Sequence, residues 1–170
     1  VSSLVRTHDN DRYLTALFAP AESRDALMAL FAFNCELDRI PWLVSEPALG
    51  EIRLQWWRDV LADTTQNVIT GNPVADAVTA VVNDHKLARP MLQGMIDARS
   101  ADLDGGGFAD MQALRAYLYK THGALFALSA KVLGHSGAGR SAGAACAAAG
   151  LRGGRAGRHS GPRRHVRSAP

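Results

Sequence analysis

The sequence predicts an all-α fold, and three observations carry the prediction. Apolar residues recur at three- and four-residue spacing through most of residues 1–135. No segment sustains the alternate-residue pattern of a half-buried strand. Proline and glycine interrupt the chain at intervals that suit separate helices. The architecture expected is a bundle or orthogonal array of about six helices.

The elements follow in order. Asp9 to Phe18 reads as a short helix ending before Pro20. Pro20 to Ile40 begins with proline in a favoured first-turn position, and Glu22 and Asp25 lie near its positive end. Its stripe is Leu27, Leu30, Phe31 and Leu37, and Pro41 is expected to stop it. SEPALG at 45–50 reads as a loop. The next helix, 51–63, carries Ile52, Trp56, Trp57, Val60 and Leu61. GNP at 71–73 separates it from a helix with Val74, Ala77, Val78, Val81 and Val82. Pro90 opens another through Leu92, Met95, Ile96 and Leu103. After GGG at 105–107, Asp110 is a good N-cap for a helix to about Leu133.

Charge divides the chain at residue 135. The formal net charge is +3, yet all 16 acidic residues lie at or before Asp110. Residues 1–135 sum to −4, whereas 136–170 hold 7 arginines and no acid. Aromatic residues stop at Phe126, so the tail has little with which to build a core. The expected organisation is a folded part at 1–135 and an Ala/Gly/Arg-rich, disordered tail at 136–170. Two origins of the tail compete. One is an arginine arm that binds nucleic acid or anionic lipid by counterion release. The other is out-of-frame reading of G+C-rich codons. The abrupt change of composition favours the second, and so does the lack of aromatic residues among the arginines, which also disfavours a nucleic-acid partner.

Two cysteines, Cys35 and Cys146, make no disulfide framework, and no Cys/His cluster marks a structural zinc. No run approaches the roughly 18–20 apolar residues that span a bilayer, and the first residues carry no signal-type apolar stretch. The expectation is a soluble, cytoplasmic protein of a reduced compartment, peripheral at most at the inner face of a membrane. A membrane surface stays open as a partner.

Asn34 and Asp38 lie four residues apart, on one face of their helix over Leu27 and Phe31. A carboxylate on an apolar stripe is costly to bury unless it meets a cation. The residues alone favour a rim position where Asp38 pairs with an arginine. His122 reads as a packing residue, and Arg53 and Arg58 as surface or capping partners.

FAFNCELD at 31–38 resembles the first aspartate-rich helix of the squalene/phytoene synthases. SEPALGEIRLQWWRDVL at 45–61, HKLARPMLQGMIDARSADL at 85–103 and LRAYLYKTHGALFALSAKVLG at 114–134 extend the resemblance over roughly 10–135. It implies part of an isoprenoid-synthase-type helical bundle. The family reaction is head-to-head condensation of two prenyl diphosphates, with Mg²⁺ held by aspartates on two facing helices. For this chain the resemblance implies Asp38 as the Mg²⁺ ligand. It also implies Asn34, Asp38 and Arg53 as substrate-binding residues, Tyr117 and Tyr119 as catalytic residues, and prenyl diphosphates or another isoprenoid lipid as ligand.

Two departures bear on that chemistry. Trp42 stands where the family has a second aspartate, and Cys35 where it has an arginine. The family's second aspartate motif is expected beyond residue 135, where the sequence has no acid. The expected activity is therefore impaired. AFNCEL and the later GEIRLQWW are similar to a sub-group that includes a mitochondrial respiratory complex I assembly factor. That likeness implies a non-catalytic assembly or lipid-binding scaffold, with a respiratory-complex assembly partner.

Overall fold

The computed structural model describes residues 1–63, 69–105 and 107–135. The tail at 136–170, with its expected disorder and its Cys146, lies outside the described residues. Within them the fold is all-helical, as the apolar spacing predicts, and no strand occurs. The elements are α1 (Ser2–His8), α2 (Asn10–Leu17), α3 (Ala21–Leu43), α4 (Pro47–Ala62), α5 (Pro73–Asp84) and α6 (Arg89–Leu103). Then come α7 (Met111–Leu118), a π-helical segment (Tyr119–Gly123) and α8 (Ala124–Val132).

Helix α3 is the axis of the molecule. Residues 26–35 are buried without a break, so it is covered on all sides rather than along one stripe. Helices α1, α2, α4, α5, α6 and α8 all pack on it, and α4 also lies along α6. One apolar cluster results. Phe33 meets Trp57 edge to face at 5.1 Å between ring centres, a favoured aromatic geometry.

Polar side chains set several helix starts. Asp9 accepts from the Arg12 amide at 3.2 Å, Asn72 from the Val74 and Ala75 amides at 2.9 and 3.2 Å, and Asp110 from Ala113 at 2.7 Å. Helix α8 closes through a paired motif in which the His135 amide donates to the Ala130 carbonyl and the Gly134 amide to Lys131. Gly134, at φ +81°, supplies the left-handed residue this motif needs. The same closure ends α5, where Leu87 donates to Val82 and Lys86 to Asn83. There the left-handed position, φ 49°, falls on Lys86.

Five expectations change. Helix α1 precedes the first element read from the sequence; its polar run carries little periodicity, and one buried residue, Val5, anchors it. Helix α3 does not stop at Pro41 but continues to Leu43. One missing N–H costs a single hydrogen bond, and only the final turn lies beyond it. Of the expected loop at 45–50 only residues 45 and 46 lie outside a helix, because α4 starts at Pro47, in the first turn, where a missing N–H is harmless. The single helix expected from Asp110 to Leu133 is interrupted by the π-helical turn, which packs on α6. On α4 the expected Trp57 and Leu61 face the core together with Leu54, whereas Ile52, expected beside them, is 66 % exposed.

Candidate functional site

The site is a polar knot in an otherwise apolar interior, where α3, α6 and α7 meet. Its centre is Arg99 on α6, only 4 % exposed. One end of the guanidinium, Nη2, lies 2.5 Å from Asp38 Oδ1 and donates to Asn34 Oδ1 at 3.1 Å, both on α3. The other, Nη1, faces Asp102 Oδ2 at 3.2 Å and donates to the Tyr117 hydroxyl oxygen at 2.7 Å. Tyr117 in turn donates to Asp102 Oδ2 at 2.7 Å, and Asn34 Nδ2 to Asp38 Oδ2 at 2.7 Å. The Phe108 ring covers Tyr117 at 4.9 Å. Arg99 Nε remains buried without a hydrogen-bond partner.

These side chains converge for local reasons. Four-residue spacing stacks Asn34 over Asp38 on one face of α3. Three-residue spacing does the same for Arg99 and Asp102 on α6. Thr121 returns a hydrogen bond to the Tyr117 carbonyl at 2.8 Å, as hydroxyls do where a helix loosens, and it is fully buried in the π-helical turn. That turn, directly after α7, packs on α6.

Electrostatics follow the geometry. Burial works against the Arg99 cation, but Asp38, Tyr117 and Asp102 outweigh it and hold its pKa above the ordinary value. Burial pushes the Asp38 carboxyl up, against the pull of Arg99 and Arg12; its side chain keeps 40 % exposure, which limits that push. Burial likewise raises Tyr117 beyond the ordinary phenol range. Beside the knot, Arg12 pairs with Asp9 and its Nη2 lies 3.2 Å from His122 Nδ1. Burial, with the Arg12 and Arg99 cations, lowers His122 to about 4, so it is neutral at pH 7 and accepts from Arg12. Cys35 is pushed up to about 12 by burial and the carboxylates of Asp9 and Asp38. It is a thiol there, with neither charge nor nucleophilicity to offer.

Of the residues singled out in the sequence, the structure gathers Asn34, Asp38 and Tyr117 around one guanidinium, that of Arg99. It leaves Tyr119 54 % exposed. Arg53 lies apart, exposed beside Glu36, Leu43 and Trp56. Trp42 is 88 % exposed at the end of α3. Arg58 bridges α4 to α6 through Asp97 at 2.8 Å. Sequence reasoning missed Arg99, Asp102 and Arg12. A signal for the first existed: Arg99 continues the stripe of Leu92, Met95 and Ile96, an arginine where an apolar residue belongs.

The arrangement does not fit the Mg²⁺ implied for Asp38. Both Asp38 oxygens are engaged, one by a guanidinium and one by an amide. The nearby Asp102 faces the same guanidinium. Among the described residues no group of three or more His, Cys, Asp and Glu could hold a metal ion. Nor is any helix among them long and apolar enough to cross a membrane.

An apolar groove of about 470 Å³ opens between α2, α3 and α8. Phe18, Leu27, Phe31, Leu125 and Leu133 line it, with Arg12 at its polar end. Phe18, 90 % exposed, leaves one wall bare to solvent.

Residues 5–156 match the family described as squalene/phytoene synthase, a match that continues past His135. Over 131 residues the chain is 36 % identical to a Bos taurus protein called NADH dehydrogenase (ubiquinone) complex I, assembly factor 6. That alignment covers 77 % of this chain and 39 % of the bovine protein. The Homo sapiens protein of that name is 34 % identical over the same shares. A Drosophila melanogaster homolog is 30 % identical over 138 residues, 78 % of this chain and 41 % of that one. The chain thus spans about two fifths of the length of the curated relatives it matches. No solved structure matches it.

Proposed function

Since the chain belongs to the squalene/phytoene synthase family, we propose that it acts there without catalysis, as an assembly factor for respiratory complex I. The observation that carries this reading is its similarity to relatives named for that role. The geometry supports it. The knot around Arg99 spends its charged groups on one another, and Trp42 stands where a metal-binding aspartate would. The apolar groove remains and offers a place for a lipid or an apolar partner segment. On this reading the chain works where complex I is built, at a respiratory membrane surface rather than in the cytoplasm at large.

Deleting the gene tests the proposal. Assembled complex I, read on native gels with NADH dehydrogenase staining, should fall while the other respiratory complexes persist. Unchanged complex I would overturn it.

The family match favours one second reading, Mg²⁺-dependent head-to-head condensation of prenyl diphosphates, which requires Asp38 to leave Arg99. On that reading Asp38 would hold the metal only after leaving Arg99, Asn34 and Arg53 would hold substrate, and Tyr117 and Tyr119 would act on the reacting chain. Incubation with farnesyl or geranylgeranyl diphosphate and Mg²⁺ separates the readings. Release of diphosphate above the blank would establish the enzyme.

A further inference from the structure

The oxygens gathered around Arg99 make a donor set of a recognisable kind. Two carboxylates from different helices, Asp38 and Asp102, converge with an amide oxygen of Asn34 and the phenol oxygen of Tyr117. Hard oxygen donors with two negative charges suit a small divalent cation. The point on which they converge holds a guanidinium, which lies within 3.2 Å of all four groups and is 4 % exposed.

We infer that Arg99 is this chain's built-in cation: it occupies a latent divalent-metal site, neutralises Asp38 and Asp102, and excludes Mg²⁺ from them. Three features support this. A guanidinium presents several donors in a fixed plane, so it can satisfy oxygens from three helices at once, as a metal would. The knot is closed without any further ligand, since Tyr117 and Asn34 supply the remaining hydrogen bonds. And Arg99 is 4 % exposed, so water does not compete with it for these oxygens from within the fold. The inference deepens the non-catalytic reading but rests on the geometry of the knot. Its test reads metal binding, whereas the assembly proposal is read by the amount of complex I.

Binding of Mn²⁺ to the full chain, followed by loss of the free-ion electron paramagnetic resonance signal, is the measurement. The wild-type chain should leave that signal unchanged. Arg99→Gln should bind Mn²⁺ at least about tenfold more tightly, the scale on which ligand charge tunes such sites. Millimolar Mg²⁺ should then raise its melting temperature, and adding Asp38→Asn should abolish both effects. Arg99→Lys retains the charge and guards against a folding failure of Arg99→Gln: it should fold and ignore Mn²⁺. Wild-type or Arg99→Lys chain that binds Mn²⁺ through Asp38 would overturn the inference. So would a folded Arg99→Gln chain that binds no better than wild type.

Discussion

Arg99 Nη2 lies 2.5 Å from Asp38 Oδ1, joining α6 to α3 through an ion pair buried on one side and open on the other. The asymmetry matters for energetics. Arg99 is 5 % exposed in its side chain and Asp38 is 40 % exposed. Solvent can compensate the carboxylate if its partner is lost, but it cannot reach the guanidinium.

Loss of either partner should therefore have unequal cost. Asp38→Asn takes one of two carboxylates from a guanidinium that water cannot reach, and should cost about 3–5 kcal/mol. Arg99→Met puts an apolar side chain in the buried position and leaves Asp38 to solvent, so it should cost less, about 1–2 kcal/mol. Urea unfolding of the two single variants and the double variant measures both values. Equal costs would contradict the burial asymmetry.

Tyr117 and Tyr119 should separate cleanly. Tyr117→Phe removes a hydroxyl that donates to Asp102 and accepts from Arg99, so a loss of about 1–3 kcal/mol is expected. Tyr119→Phe alters a half-exposed ring and should stay within about 0.5 kcal/mol of wild type. Thermal melts of the pair decide it, with matching melting temperatures as the adverse result.

Acid should weaken the fold through His122. Its value near 4 lies below the ordinary 6.5, so the unfolded chain binds the proton first. This contribution is fully present above pH 6.5 and is lost as pH falls towards 4, at about 1.4 kcal/mol per unit of displacement and roughly 3 kcal/mol in all. His122→Asn can still accept from Arg12 but does not titrate. Its stability should change less between pH 7 and pH 4.5 than that of wild type, as chemical denaturation at the two values would show.

Backbone geometry makes two opposite predictions. Lys86, at φ 49° in the closure of α5, sits where glycine is favoured. Lys86→Gly should stabilise by about 0.5–1 kcal/mol, the relief of strain being offset by greater freedom in the unfolded chain. Gly50 on α4 is the reverse case, since an added Cβ would lie 2.4 Å from Leu103 Cδ2 on α6. Gly50→Ala should cost about 1–3 kcal/mol, at the lower end if Leu103 can rotate away. Melting temperatures should move in opposite directions.

Much of the fold was legible because helices announce themselves locally. The cap at Asp110, the first-turn Pro90 and the four-residue spacing of Asn34 and Asp38 all act within a few residues of chain. The expectation that Asp38 meets an arginine also followed from a local fact, a carboxylate on an apolar stripe. Which arginine it meets did not, because the two are 61 positions apart in the chain.

By itself, then, the sequence determined an all-helical body, an acidic balance up to residue 135 and the family to which these helices belong. Only tertiary packing decided that α3 lies covered on every side, that a π-helical turn splits the last long helix, and that Asn34, Asp38 and Tyr117 share one guanidinium. The reason is range. Propensity and capping act over a turn or two of helix, whereas the state of a charged side chain depends on whatever opposite charge the fold brings within a few ångströms, in surroundings where water cannot take its place.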